Sequence, residues 1–342
     1  MDIEELGEFG LIEQIKESFK CRDHLLAIGI GDDTAALNVP GDKATLITTD
    51  LLLEGVHFDL ELNSAYYLGK KSLSVNLSDI AAMGGTPRYF LLSLGIPRRY
   101  PVESLREFFR GLKELSLNYR VKLIGGDTSA STGKLMISVT VLGEAPRGQV
   151  VRRTGAEVGD QIFVTGTLGD SLLGLYILRN GINPTRSLRK LPRVVRKHLD
   201  PQPRIKEGKL IAGKGLATAM IDLSDGLLAD LGHLTRDVGL GAKLWREKLP
   251  LSNYYRRNIL SFEQDKWKLA LTGGEDYELL FTVSRAKVKQ LRHLSSRFDC
   301  RLTRIGEVVE GSEDITVVDK NDKPCKINYL TGYDHFRARF AS

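Results

Sequence analysis

Cysteine is scarce in this 342-residue chain: Cys21, Cys300 and Cys325 stand far apart, odd in number and without a CxxC pair. That pattern offers no thiolate zinc site and suits a reducing compartment, so a cytoplasmic setting is expected. No apolar run reaches the ~18 residues of a membrane-spanning helix, so no membrane partner is expected. The opening Met1-Asp2-Ile3-Glu4-Glu5 is acidic and lacks the basic and apolar regions of a secretory signal. Familiar nucleotide and hydrolase signatures are missing too. Ser131-Thr132-Gly133-Lys134 falls short of a P-loop, with Thr128 where the first glycine belongs and Leu135 in place of Ser/Thr. Gly29-Ile30-Gly31 fails as a dinucleotide fingerprint because Thr34 occupies the last glycine position, and neither HExxH nor GxSxG occurs.

What is present is an ordinary globular composition, 42% hydrophobic and 27% charged, in a chain long enough for two domains. The net charge is +6. Its basic residues gather around Arg179 to Lys209, through Arg186, Arg189, Lys190, Arg193, Arg196 and Lys197. Mixed with Leu191, Val194, Val195 and Leu199, they read as a solvated helix face. No aromatic-interleaved motif accompanies them, so nucleic acid is not an expected partner. A positive field that attracts small polyanions fits better.

Apolar spacing predicts a helix over Ile3 to Phe19, strands over Leu25 to Ile30 and Thr45 to Thr49 around the Pro40-Gly41-Asp42 turn, and a helix over Tyr66 to Met83. A buried strand over Arg88 to Ile96, a helix over Glu103 to Asn118 and a short strand Val121 to Ile124 follow. Leu135 to Gly143 alternates as a further strand. The texture changes near Ala145 to Gly159, which divides the chain into 1–147 and 148–342. The second part reads as strands Gln161 to Thr165, Ala219 to Leu223, Leu279 to Val283, Leu302 to Val308 and Ile315 to Val318, with helices Ser171 to Arg179, Leu227 to Thr235 and Ala286 to Ser295 between. Interleaved strands and helices define an α/β (α+β) class.

One local pattern recurs: apolar residues, then small or hydroxyl residues, then a carboxylate. It occurs at Gly31-Asp32-Asp33, Thr48-Thr49-Asp50, Ser78-Asp79, Gly125-Gly126-Asp127, Asp222-Leu223-Ser224-Asp225 and Gly273-Gly274-Glu275-Asp276. Each is expected at a strand end or helix start, with Asp222 and Asp225 on one helical face. Alone, any of them is equally a turn or an N-cap. Together they point to one acidic site for hard cations and phosphate, because Mg²⁺ takes carboxylate and water oxygens and bridges to phosphates.

Taken in order, these segments resemble the thiamine-monophosphate kinase family, within the wider aminoimidazole-ribonucleotide-synthetase-like group. The resemblance rests on Gly29 to Asp33, Thr48-Thr49-Asp50 with Glu54-Gly55-Val56-His57-Phe58, and Ser74 to Asp79. It continues through Ile124 to Asp127, Val164 to Asp170, Ile221 to Gly226, Gly273-Gly274-Glu275-Asp276-Tyr277-Glu278-Leu279 and the closing Gly332-Tyr333-Asp334-His335-Phe336. It implies the two-domain fold of that group, a homodimer that pairs its N-terminal sheets, several Mg²⁺ ions, and ATP and thiamine monophosphate as substrates. Carried over by position, it makes Asp32, Asp33, Thr48, Thr49, Asp50, Asp79, Asp127, Asp222 and Asp225 metal ligands. Phe109, Gly126, Asp127, Arg153 and Ser224 would contact ATP, and His57, Glu275 and Tyr333 thiamine monophosphate. No covalent nucleophile is expected, since positioning and electrostatics carry phosphoryl transfer.

Two positions depart from the pattern: Phe109 stands where some relatives have tyrosine, and Asp200 replaces a basic residue. Sister activities fit less well. Cys21, between Lys20 and Arg22, is not the reactive residue of selenophosphate synthetase, and the end Phe340-Ala341-Ser342 lacks the cysteine of hydrogenase maturation. A non-catalytic regulator would have no need of intact ligands at every expected metal position.

Overall fold

The computed structural model describes residues 3–19, 23–181, 191–311 and 314–327. Helix α1 (Ile3–Ser18) follows the predicted spacing but breaks at Gly7, whose φ of 72° is not helical. Strands β1 (Leu26–Ile28), β2 (Ala35–Asn38) and β3 (Lys43–Leu53) follow, then helix α2 (Ala65–Ala82), strand β4 (Thr86–Pro97), helix α3 (Val102–Tyr119) and strands β5 (Lys122–Ser131) and β6 (Met136–Pro146). The sequence does not announce β2, because two alanines carry little strand propensity; antiparallel pairing with β3 holds it.

These strands form one sheet in the order β1-β2-β3-β6-β4-β5. Helices cover one of its faces, so β4 is half buried instead of fully buried as expected. Phe90, Leu92 and Leu94 point into the core while Tyr89 and Leu91 are exposed. Two glycines let the covering helices touch: a Cβ on Gly69 of α2 would meet the Phe108 carbonyl oxygen at 2.0 Å, and one on Gly111 of α3 would meet that of Tyr66 at 1.9 Å.

The second part runs β7 (Gln161–Thr165), α4 (Asp170–Arg179), α5 (Arg193–Leu199), α6 (Ile205–Gly213), β8 (Ala219–Asp222), α7 (Leu227–Thr235), β9 (Gly241–Trp245), α8 (Asn253–Asn258), α9 (Lys268–Thr272), β10 (Leu279–Val283), α10 (Val288–Leu294), β11 (Leu302–Val309) and β12 (Ile315–Val318). Its sheet has the order β12-β9-β11-β7-β10-β8. The unforeseen β9, α8 and α9 span only five or six residues each, too short for periodicity to register. Both parts are mixed sheets with helices, the α/β class expected. No helix among the described residues is long and apolar enough to cross a membrane.

Helix α2 joins the two parts. Every residue from Leu68 to Ala82 except Asp79 is buried, because the first sheet covers one side of the helix and the second part the other. Gly208 of α6 lies so near the α2 backbone that a Cβ would reach Ala81 oxygen at 2.1 Å. Lys70 Nζ pairs with Asp200 Oδ2 at 2.6 Å, and Ser74 Oγ donates to the Pro201 carbonyl at 2.5 Å. The acidic departure at Asp200 is therefore matched by a lysine across the junction.

The basic stretch meets expectation only in part: Arg179, Arg193 and Lys209 are exposed, but Lys197 and the nearby Arg204 are not. Lys197 lies 3.0 Å from Glu278 and Arg204 lies 2.6 Å from it, both with side chains only 17% exposed. They neutralise a buried glutamate instead of forming a solvated face; Arg186, Arg189 and Lys190 lie outside the described residues.

Candidate active site

Strand alternation selects the ligand side of β3. Thr48 and Asp50 point toward α2, while Thr49 points to the opposite, open face, where its hydroxyl meets Thr140 Oγ1 at 2.9 Å. The Thr48 hydroxyl donates to Asp79 Oδ2 at 2.5 Å. Asp79 is the half-buried residue in the last turn of α2, not at a helix start as expected. Asp33 enters from the loop before β2, and Asp222 ends β8. Carboxylate oxygens of Asp33, Asp79 and Asp222 lie within 4.8 Å of one another. Asp222 and Asp225 share no helix: one ends a strand and the other lies in the loop before α7.

Burial raises the whole group, and like charges add to it for Asp32, Asp79 and Asp222. Burial, then Asp33, pushes Asp32 up to about 6 and Asp222 up to about 7. Burial alone takes Asp50 to about 6, and burial followed by the Asp50 charge lifts Asp79 well above the usual range. Asp230 on α7, unmarked in the sequence reading, extends the cluster; burial and then Asp225 raise it. It accepts the N–H of Gly226 at 3.0 Å and that of Asp225 at 3.2 Å.

Arg153 faces these carboxylates, bonded through Nη2 to Asp33 Oδ1 at 2.7 Å while its backbone N–H reaches Asp32 at 3.3 Å. The guanidinium expected on ATP phosphates is thus engaged by Asp33. Oδ2 of Asp33 and Oδ2 of Asp222 are buried without a hydrogen-bond partner. Buried carboxylate oxygens are costly unless paired. Converging hard oxygens with lone pairs unspent fit a divalent cation of the Mg²⁺ kind.

The second motif loop lies beside the first. Glu275 N–H donates to Ser224 O at 2.8 Å and Tyr277 N–H to Leu223 O at 2.9 Å, zipping residues 223–224 to 275–277. Glu275 and Tyr277 take positive φ values of 62° and 49°, a conformation that costs a non-glycine residue about 1–3 kcal/mol. His57 lies near Glu275, its Nδ1 accepting the Leu53 N–H at 3.0 Å. Tyr277, which no motif marks for a role, is buried beside Asp50, Asp79, Asp222 and Glu275.

Other expected residues do not join this cluster. Asp127 and Gly126 belong to the interior of the exposed edge strand β5, not to a strand end. Register runs Asp50–Val139–Leu92–Gly126, three strand spacings or roughly 14 Å across the sheet. Within one chain, Asp127 is therefore too far to share an ion with Asp79. Phe109 is exposed on α3, and Tyr333 lies outside the described residues.

The fold and site define the class. Residues 31–145 match the family described as AIR synthase related protein, N-terminal domain, and residues 157–319 its C-terminal domain. The chain is 38% identical to a thiamine-monophosphate kinase of Escherichia coli O157:H7, covering 96% of this chain and 98% of that protein. It is 34% identical to the Bacillus subtilis protein of the same name, covering 97% and 100%. A solved structure of AaThiL complexed with AMPPCP and TMP superposes with a TM-score of 0.83 at 37% identity, covering 98% and 99% of the two chains. E. coli HypE, a hydrogenase maturation protein, shares only the fold, at 19% identity and a TM-score of 0.67 over 93% and 96% of the chains. The chain belongs to the thiamine-monophosphate kinase family, a family of phosphotransferases.

Proposed function

We propose that this chain transfers the γ-phosphoryl group of ATP directly onto thiamine monophosphate, giving thiamine diphosphate and ADP. The observation that carries the reading is the convergence of Asp33, Asp79 and Asp222 with two buried oxygens unpartnered. A triphosphate of charge about −4 must meet a phosphomonoester of about −2, so their repulsion has to be cancelled before attack. Several Mg²⁺ ions held by Asp32, Asp33, Asp50, Asp79, Asp222 and Asp225, with the Thr48 hydroxyl beside them, would supply that cancellation. The chain itself contributes Arg153, which can exchange Asp33 for phosphate oxygens, and Ser224 at the loop rim. Glu275 and His57 line the neighbouring face, where a cationic thiazolium ring finds a carboxylate. No side chain need become covalently phosphorylated.

A homodimer is part of the reading. Leu51, Leu91, Tyr89 and Met136 are exposed on the open face of the first sheet, and Leu123 and Ile124 on its edge strand. Contiguous apolar surface of this kind marks an interaction face. In such a dimer Phe109, Gly126, Asp127 and the open-face Thr49 act at or near the partner's site. The division at 147/148 is supported by a first sheet that ends at Pro146 and a second that starts at Gln161. A cytoplasmic setting accords with the few, scattered cysteines.

The test is direct. Purified protein with ATP, Mg²⁺ and thiamine monophosphate forms equimolar ADP and thiamine diphosphate, and chelation by EDTA stops both. ADP formation that does not depend on thiamine monophosphate overturns the assignment.

A further inference from the structure

We propose that Lys71, assisted by His198, is a positioning residue that aims the Glu275 carboxylate at the cationic ring of the substrate. The proposal rests on the reading of Glu275 as a thiamine-monophosphate contact. Lys71 lies in the buried stretch of α2, with only 1% of its side chain exposed. An ammonium group in such a place costs several kcal/mol unless it is paired. Its partner is Glu275 Oε1, at 2.7 Å. The other oxygen, Oε2, lies 3.3 Å from His198 Nδ1, and that nitrogen is 3.1 Å from Ser171 Oγ.

Exposure gives the pair a direction. Glu275 keeps 28% of its side chain accessible while Lys71 keeps almost none, so an incoming ligand meets the carboxylate and not the ammonium. The glutamate cannot turn away easily. Its backbone is fixed at φ 62° by the N–H bond to Ser224. Glu275 is thus held between Lys71 of α2 on one side and His198 of α5 on the other, with Ser171 of α4 behind the histidine. Burial pushes His198 down to about 3, so it is neutral and adds no charge of its own to the Lys71–Glu275 pair. A lone carboxylate at this depth would drift toward protonation and alternative rotamers.

Steady-state kinetics separate aim from mere support. Glu275→Gln raises KM for thiamine monophosphate about tenfold or more, the scale of one charge-assisted contact, and leaves KM for ATP within about twofold. Lys71→Met gives the same pattern, and in the double variant the two effects do not add. A purely structural role would lower kcat through the folded fraction and leave both KM values alone. His198→Gln, which leaves the ion pair intact, raises the same KM about threefold and serves where Lys71→Met fails to fold. If Glu275→Gln leaves KM unchanged, the underlying substrate assignment fails. If Glu275→Gln raises it while Lys71→Met (or, in its place, His198→Gln) does not, the positioning role fails.

Discussion

Two groups of buried carboxylates meet across Tyr277, and they are treated in opposite ways. Asp32, Asp33, Asp50, Asp79 and Asp222 are all pushed upward by burial, with like charges adding to it for Asp32, Asp79 and Asp222, and Arg153 faces only Asp32, Asp33 and Asp222 among them. Glu278 alone has two cations, Arg204 at 2.6 Å and Lys197 at 3.0 Å, and the Thr165 hydroxyl at 2.8 Å. Against the upward push of burial, those partners hold Glu278 down at about 2, and Lys71 similarly draws Glu275 below the usual range. Charge that the protein neutralises itself is scaffold. Charge left in excess is a place for ligand cations to finish.

Removing a member of each group breaks the comparison in different ways. Glu278→Ala strands Arg204 and Lys197 in the interior, so it destabilises the protein by about 3–5 kcal/mol in denaturant titration. Asp50→Asn removes one of several repelling charges. It leaves stability unchanged or raised, while turnover falls by about 10²–10³-fold, the scale of losing one preorganised electrostatic contact. If Asp50→Asn unfolded the protein as readily as Glu278→Ala, the distinction between scaffold and site would collapse.

A smaller effect sharpens the same contrast through pH. Asp50 and Asp222 have folded values of about 6 and about 7, above the ordinary carboxylate range. The folded protein then holds more protons than the unfolded chain, so in EDTA stability falls as pH rises from about 4 to 7. Glu278 works in the other direction: its contribution is complete above about 4.3 and disappears as pH drops toward about 2. Melting curves in EDTA should therefore decline by a few degrees between about pH 5 and 7, and added Mg²⁺ should flatten that decline. A melting temperature that climbs over this window without metal would contradict the account.

Much of this was legible in the residues, unevenly. Long helices such as α2 and α3 lie where apolar spacing puts them, and β10 where a continuous apolar run does. Motif grammar picks out Asp33, Asp50, Asp79 and Asp222, but the place it assigns them, at strand ends and helix starts, holds for Asp222 and not for Asp50 or Asp79. What unites them is convergence on the inner face of β3, a tertiary fact that no local pattern contains. The same limit hid Asp230, which joins the cluster through loop geometry, and Lys71, whose burial depends on a second part docking on α2. Arg204 and Lys197 look like surface charge until Glu278 is placed between them.

We infer that the acidic cluster is a divalent-metal site left incomplete by the protein itself. Titration of the ligand-free full chain with Mn²⁺, followed by electron paramagnetic resonance of the free ion, tests it most directly. The account predicts saturable binding in the native protein that is lost or strongly weakened in Asp79→Asn and Asp222→Asn and unaltered in Glu275→Gln. Saturable binding that persists in both aspartate variants, or none in the native chain, would contradict it.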